Sequence, residues 1–268
     1  MSTSKLFISL SILSSVFIAN YAYPEYNLAT GQEENLFISK EKEINMGRSI
    51  AEQVEEKFDL DENYLNQEKV AEFGKRIADV CDRKELIFTF KVIDKDDVEN
   101  AFALPGGYIY IFKALLEKLD DDELAAILAH EVGHVCARHS IKRLQSGLGY
   151  QIMQILVIRG AKDSYTRRKA GEAFGQLMLA NSREHEFEAD ALAVKYLKKA
   201  NYDPEGMLNA LDKLLQWQME GKTGPKRYWF THPYLSARKA QVSKEITGQI
   251  TFEDYMNTSE EDSYIIAY

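Results

Sequence analysis

Residues 130 to 134 read His-Glu-Val-Gly-His, and this run limits the fold more than any other feature of the chain. On an α-helix, residues four apart lie about 40° from each other, one turn apart on one face. His130 and His134 can therefore aim both imidazoles at a single point. The flanking sequence supplies the helix. Asp120, Asp121, Asp122 and Glu123 put negative charge at its start, where the helix dipole favours it. The apolar run Leu124–Ala129 follows, so the helix is predicted from about Asp121 past Arg143. Two imidazoles and a carboxylate suit one zinc ion per chain and leave a position open for water. Glu131 falls about 60° from His134 and is near enough to take a proton from that water.

The third ligand is less direct. A third histidine six positions after His134 would complete a common metal pattern, but Ser140 stands there, and Ala137 replaces the glycine of that pattern. His139 is nine residues past His130, points away from it, and reads as a structural or surface histidine. A later helix must then contribute a carboxylate. Residues 181–190, Asn-Ser-Arg-Glu-His-Glu-Phe-Glu-Ala-Asp, offer two pairs at helical spacing, Glu184 with Glu188 and Glu186 with Asp190. Either pair could provide one ligand and one carboxylate that orients a ligand histidine. Helix geometry alone does not choose between them.

Composition excludes several classes. The chain has 268 residues, a formal net charge of -9, 45% hydrophobic residues and 28% charged residues. That is ordinary for a globular protein and speaks against nucleic acid as a partner. Cys81 and Cys136 can form one bridge at most, and Cys136 reads as a core thiol. Lys5, the apolar stretch Leu6–Ile18 and Ala22 have the layout of a secretory signal peptide over residues 1–22. Thirteen apolar-rich residues are short for a membrane span, although an uncleaved N-terminal anchor is the alternative. The expected location is a bacterial periplasm.

Periodicity predicts helices over residues 40–58 and 70–80, and a β-branched, aromatic strand at 86–93. Ala101–Leu104 and Tyr108–Phe112 flank Pro105-Gly106-Gly107 and read as a hairpin. Helices follow at about 169–180, 183–200, 204–221 and 232–246. The expected fold class is α+β, mainly helical, with a small sheet before the metal-binding helix. Residues 23–250 read as one domain, followed by an acidic tail at 251–268. The hairpin segment Ala101, Phe102, Ala103, Leu104, Gly107 and Tyr108 is expected to offer an edge to which extended substrate adds as a strand. Residues 147–170 change from apolar to basic. They read either as a core helix with a solvated loop or as a lid over the cleft. Trp217, Trp229 and neighbouring tyrosines read as core or groove lining.

Four motifs in order, Asn100–Ile111, His130–Ser140, Asn181–Asp190 and Thr231–Arg238, give the chain a family resemblance. It resembles the gluzincin zinc metallopeptidases that include HtpX, BepA and the CAAX prenyl endopeptidases. The resemblance implies a zincin-like fold with Glu186 as third zinc ligand and Asp190 as its supporting carboxylate. It also implies that His232 and Arg238 face the metal. There His232 would stabilise an oxyanion, or alternatively fill the open metal position and hold the site inactive. The implied activity is endopeptidase cleavage of unfolded or misfolded polypeptides in envelope quality control, with peripheral contact to a membrane or assembly machinery. A catalytically silent, chaperone-like binder on the same fold is the alternative.

Overall fold

A computed structural model describes residues 24–36, 38–145, 163–221 and 226–248. The expected signal peptide, the acidic tail and residues 147–162 of the lid segment lie outside these described residues.

An N-terminal antiparallel ribbon, β1 (Pro24–Asn27) and β2 (Gln32–Asn35), precedes two helices, α1 (Lys40–Lys57) and α2 (Tyr64–Ala78). Ser39 and Asn63 cap these helices through their side chains. A three-stranded sheet follows, built from β3 (Thr89–Ile93), β4 (Ala101–Leu104) and β5 (Tyr108–Phe112). Its order is β3-β5-β4, parallel between β3 and β5 and antiparallel between β4 and β5. The Pro105–Gly107 turn joins β4 to β5, with Gly106 at φ 78, a conformation that favours glycine. Strand alternation then serves two cores. Ile109 and Ile111 join Leu115, Leu124 and Leu128 on one side, while Tyr110 and Phe112 join Ile50, Phe102 and Phe174 on the other.

A short turn, α3 (Lys113–Leu116), leads to α4 (Asp121–Cys136), which carries the histidine motif. Asp120 and Glu123 cap α4 reciprocally, and every residue from Glu123 to Cys136 is buried. The predicted single helix past Arg143 is broken. α4 ends at Cys136, Arg138 adopts φ 56, and α5 (His139–Gln145) starts in a new direction. The N-terminal ribbon holds this break. Asn27 Nδ2 donates to Cys136 O at 3.1 Å, and Glu25 pairs with both Arg138 Nη atoms at 2.7 and 3.0 Å.

The remaining helices are α6 (Ser164–Leu177), α7 (Arg183–Lys199), α8 (Glu205–Met219), α9 (Tyr228–Thr231) and α10 (Leu235–Thr247). Helix α6 starts before the expected position near Lys169, because Asp163 accepts from Thr166 N at 2.8 Å and caps it. Ala170, Ala173, Phe174 and Leu177 then form its buried face. The final helix does not begin at His232. Pro233 disfavours a helical residue before it, so His232 takes φ -123 and ψ 74, and α10 starts after Tyr234 at φ 65. His232 thus sits in the elbow between α9 and α10. Both cysteines are buried free thiols. Among the described residues no helix is long and apolar enough to cross a membrane.

α4 packs chiefly against α7, and Gly133 sets their approach. A Cβ built on Gly133 would lie 2.7 Å from Ala189 O, inside any real contact. That backbone-to-backbone contact brings the α4 histidines within reach of the α7 carboxylates. Gly133→Ala is expected to destabilise the fold by about 1–3 kcal/mol through overpacking, measured by urea unfolding. A stability equal to wild type would show that the helices can separate without cost.

Candidate metal centre

α4 and α7 supply the donors, and the elbow before α10 adds another. One donor atom each from His130, His134, Glu186 and His232 lie within 4.8 Å of one another, and all four residues are buried. The Nε2 atoms of His130 and His134 are 2.9 Å apart. Glu186 Oε1 is 3.3 Å from His134 Nε2, and Glu186 Oε2 is 3.4 Å from His130 Nε2. His232 Nδ1 is 3.2 Å from Glu186 Oε1 and 3.3 Å from His130 Nε2. Of the two pairs left open by helix geometry, Glu186 and Asp190 are both fully buried, with Glu186 in the donor cluster, whereas Glu184 is exposed.

Asp190 accepts from His130 Nδ1 at 2.7 Å. Arg238 grips Asp190 with Nε and Nη2, both at 2.8 Å, and its Nη1 is 2.8 Å from Glu186 Oε2. The resemblance implies that Arg238 faces the metal, and the contacts it makes in the structure are with Asp190, with Glu186 Oε2 and, at 3.3 Å, with His130 Nδ1. Arg238 is fully buried, and the carboxylates hold its guanidinium on both edges. Beside the donors lies a cavity of about 20 Å³ bounded in part by Phe102, Ala103, Glu131, His134, Ser140 and His232. That is room for about one water molecule.

The donor set fits a divalent cation. Two imidazole nitrogens that each point a lone pair at the other repel, unless a proton or metal lies between them. Three carboxylates, Glu131, Glu186 and Asp190, are also buried here, and the Arg238 guanidinium meets the last two. The excess negative charge is visible in His130. Burial and Arg238 oppose its protonation, yet Asp190 and Glu186 outweigh them and raise its pKa to about 9. Burial and His130 push His134 the other way, well below the ordinary value. Burial would raise the Glu186 pKa, but His232, Arg238 and His130 hold it well below the carboxylate range. The centre thus attracts positive charge and keeps one imidazole and one carboxylate deprotonated.

Several neighbours were not expected from the sequence. Tyr228 Oη donates to Glu131 Oε1 at 3.0 Å, and its ring stacks on His232 with centroids 4.2 Å apart. Among the described residues, Glu131 Oε2 is buried with no hydrogen-bond partner. The spacing of four between Tyr228 and His232 is the signal that could have marked this pair, since it places them on one helical turn. Asn181 Nδ2 reaches to 3.3 Å from His232 Nδ1. His139 is not a surface residue. It is 2% exposed, its Nδ1 is 2.7 Å from His134 Nδ1, and burial pushes its pKa down to about 4.

The expected edge segment divides in two. In β4, Phe112 N donates to Asn100 O, so the paired positions are 100, 102 and 104, and Ala101 and Ala103 turn their backbone groups away from β5. Ser140 Oγ donates to Ala103 O at 3.2 Å. Phe102 and Ala103 border the cavity. Gly107 lies in the turn, and Tyr108 belongs to the central strand, where it pairs with Thr89 and Leu104. Those two are not on the edge, because the sheet order encloses β5.

Removing Arg238 leaves two buried carboxylates without their cation. Breaking such a buried pair costs about 3–5 kcal/mol. Arg238→Met is expected to lose that much stability in urea unfolding with a chelator present. A loss below about 1 kcal/mol would show that Arg238 is not what balances the carboxylates.

The profile of peptidase family M48 matches residues 64–246. The chain is 26% identical over 213 residues to the beta-barrel assembly-enhancing protease of Escherichia coli (strain K12), covering 75% of this chain and 43% of that protein. It is 26% identical over 186 residues to metalloprotease YcaL of the same organism, covering 66% of this chain and 72% of the relative. To the mitochondrial metalloendopeptidase OMA1 of Arabidopsis thaliana it is 32% identical over 146 residues, 53% of this chain and 28% of the relative. The chain therefore spans less than half the length of the beta-barrel assembly-enhancing proteases it matches. The matched span holds the whole buried donor cluster, its supporting carboxylate and the sheet beside it, and the chain belongs to peptidase family M48, a family of metallopeptidases.

Proposed function

We propose that this chain is a zinc-dependent endopeptidase that cleaves unfolded or misassembled polypeptides in the quality control of a cell envelope. The observation that carries the reading is the arrangement around Glu131. Its Oε1 is held by Tyr228 and lies 3.5 Å from His232 Nε2, its buried Oε2 has no hydrogen-bond partner among the described residues, and the side chain borders the same cavity as His134 and His232. His130, His134 and Glu186 would hold zinc, which suits two nitrogens and a carboxylate. The bound ion would supply Lewis acidity to the scissile carbonyl and to the attacking water. Glu131 Oε2 takes the proton of that water and returns it to the leaving amide nitrogen. Tyr228 fixes the other carboxylate oxygen and so aims Oε2. Asp190 accepts from His130 Nδ1, which keeps the Nε2 lone pair of that ring on the metal side.

An extended chain binds by pairing with the outer edge of β4 at Ala101 and Ala103, where Asn100 Oδ1 gives up its contact with Ala101 N and Ser140 its contact with Ala103 O. Backbone pairing of this kind recognises any extended peptide and needs no particular side chains. That supports unfolded substrates, as does the kinship with a protease named for beta-barrel assembly. The apolar segment within residues 1–22 supports export to a periplasm, with residues 23–250 as the peptidase domain. Peripheral contact with an envelope-assembly machine is part of the same proposal.

Glu131→Gln keeps the shape of the side chain but cannot accept the proton. Turnover of an unfolded protein substrate is expected to fall by at least about 100-fold, with zinc content unchanged by elemental analysis. Substantial remaining turnover would remove Glu131 from the role of base.

A second reading concerns the resting state. Catalytic zinc sites keep a position open, whereas a set of four protein donors closes the shell. His232 Nδ1 stands among the other three donors, and the cavity above holds about 20 Å³. On this reading the chain rests in a latent state, and substrate displaces His232, which then faces the developing oxyanion. His232→Ala is expected to raise the basal cleavage of a short peptide while zinc is retained. A fall in kcat instead would leave His232 with the oxyanion role alone.

A further inference from the structure

The two ligand histidines are supported in different ways. His130 hands its outer ring nitrogen directly to a carboxylate, Asp190, at 2.7 Å. His134 Nδ1 meets another imidazole, at His139 Nδ1 2.7 Å away. The far nitrogen of that ring, His139 Nε2, lies 2.9 Å from Glu188 Oε2 on α7. We propose that His139 and Glu188 form a relay that positions His134 for the metal. The inference rests on the zinc reading above and goes beyond it by assigning two positioning residues.

The proton positions in this relay are determined step by step. A neutral imidazole carries one ring proton. If His134 binds metal through Nε2, its proton is on Nδ1, which must donate. His139 Nδ1 is then the acceptor, so the proton of His139 is on Nε2. That nitrogen donates to Glu188, a carboxylate that needs a donor. Every ring nitrogen in the line has a defined role, and none needs a charged imidazole. Reversing any one proton places two donors or two acceptors face to face at 2.7 Å. The relay thereby selects the His134 tautomer whose Nε2 is free for metal.

The break after α4 makes the relay geometrically available. On one unbroken helix His139 would lie about 140° from His134, on a different face. Arg138 at φ 56, paired with Glu25, turns the chain so that the His139 ring returns to His134. The ring is buried and lies flat on His185, with centroids 4.1 Å apart and planes at 19°. Glu188 is two residues past Glu186, so α7 supplies a proposed ligand, the carboxylate that supports His130 and the end of the relay. Lys142 Nζ, 3.7 Å from Glu188 Oε2, supports the carboxylate from α5.

Zinc affinity tests the relay without recourse to activity, by competition against a chromophoric chelator on the full chain. His139→Phe keeps a ring but removes the acceptor, and is expected to bind zinc about 10–100-fold more weakly than wild type. His139→Gln can accept from His134 and donate to Glu188, so it is expected to bind more tightly than His139→Phe. His185→Ala removes the stacking partner but no hydrogen bond in the line, and is expected to keep wild-type affinity. Wild-type affinity in His139→Phe overturns the relay, as does an equal loss in His139→Phe and His185→Ala. Should His139→Phe fail to fold, Glu188→Ala reads the relay from its far end, and an unchanged zinc affinity there overturns it. A wild-type chain that binds no zinc overturns the metal reading and the relay together.

Discussion

The ion pair between Arg238 and Asp190 organises the centre of this molecule. Both partners are fully buried, and two contacts of 2.8 Å, one to each carboxylate oxygen, hold the pair together. Asp190 in turn fixes the His130 ring, and the remaining edge of Arg238 meets Glu186. One residue of α10 therefore orients a histidine of α4 and two carboxylates of α7. Buried charges of this kind are costly unless every partner is satisfied. Here three carboxylates share the region, and the high pKa of His130 marks the charge that a divalent cation would balance.

Close helix packing supplies the distance over which this pairing acts. The backbone of α4 meets that of α7 at Gly133 and Ala189, so short side chains span the gap. The same helix presents Glu186 and Asp190, one turn apart, to α4 on one face, and Glu188, about 160° around from both, to α5 on another. Glu186 meets the histidine nitrogens, Asp190 supports His130, and Glu188 meets His139. The alternation of these three residues along α7 is a division of labour between metal, near partner and distant partner under the proposed zinc reading.

Access is the other constraint. His232 stands among the donors from an elbow created by Pro233, and Asn181 lies against it. Tyr228 stacks on the same imidazole and bonds Glu131. The residue proposed as base and the residue proposed to occupy the open position are thus held by one side chain. Displacement of His232 would disturb the stacking but leave the helix that carries Glu131 in place.

The chain alone determined what depends on local spacing. The histidine motif, the capping carboxylates of α4, the strand-turn-strand unit around Pro105 and the two carboxylate pairs of residues 184–190 were legible, because helix and strand periods set which residues share a face. The resemblance pointed to Glu186 over Glu184, and of the two it is Glu186 that the fold buries. Tertiary structure decided what depends on contacts between distant segments. Arg238 reaches Asp190 and Glu186 because α10 packs against α7, and Tyr108 is enclosed because β3 pairs beyond β5. His139 meets His134 because Glu25 and Asn27, more than a hundred residues away in sequence, hold the helix break open. A break stabilised by a remote partner leaves no local pattern, since neither Arg138 nor its neighbours favour a left-handed conformation by themselves.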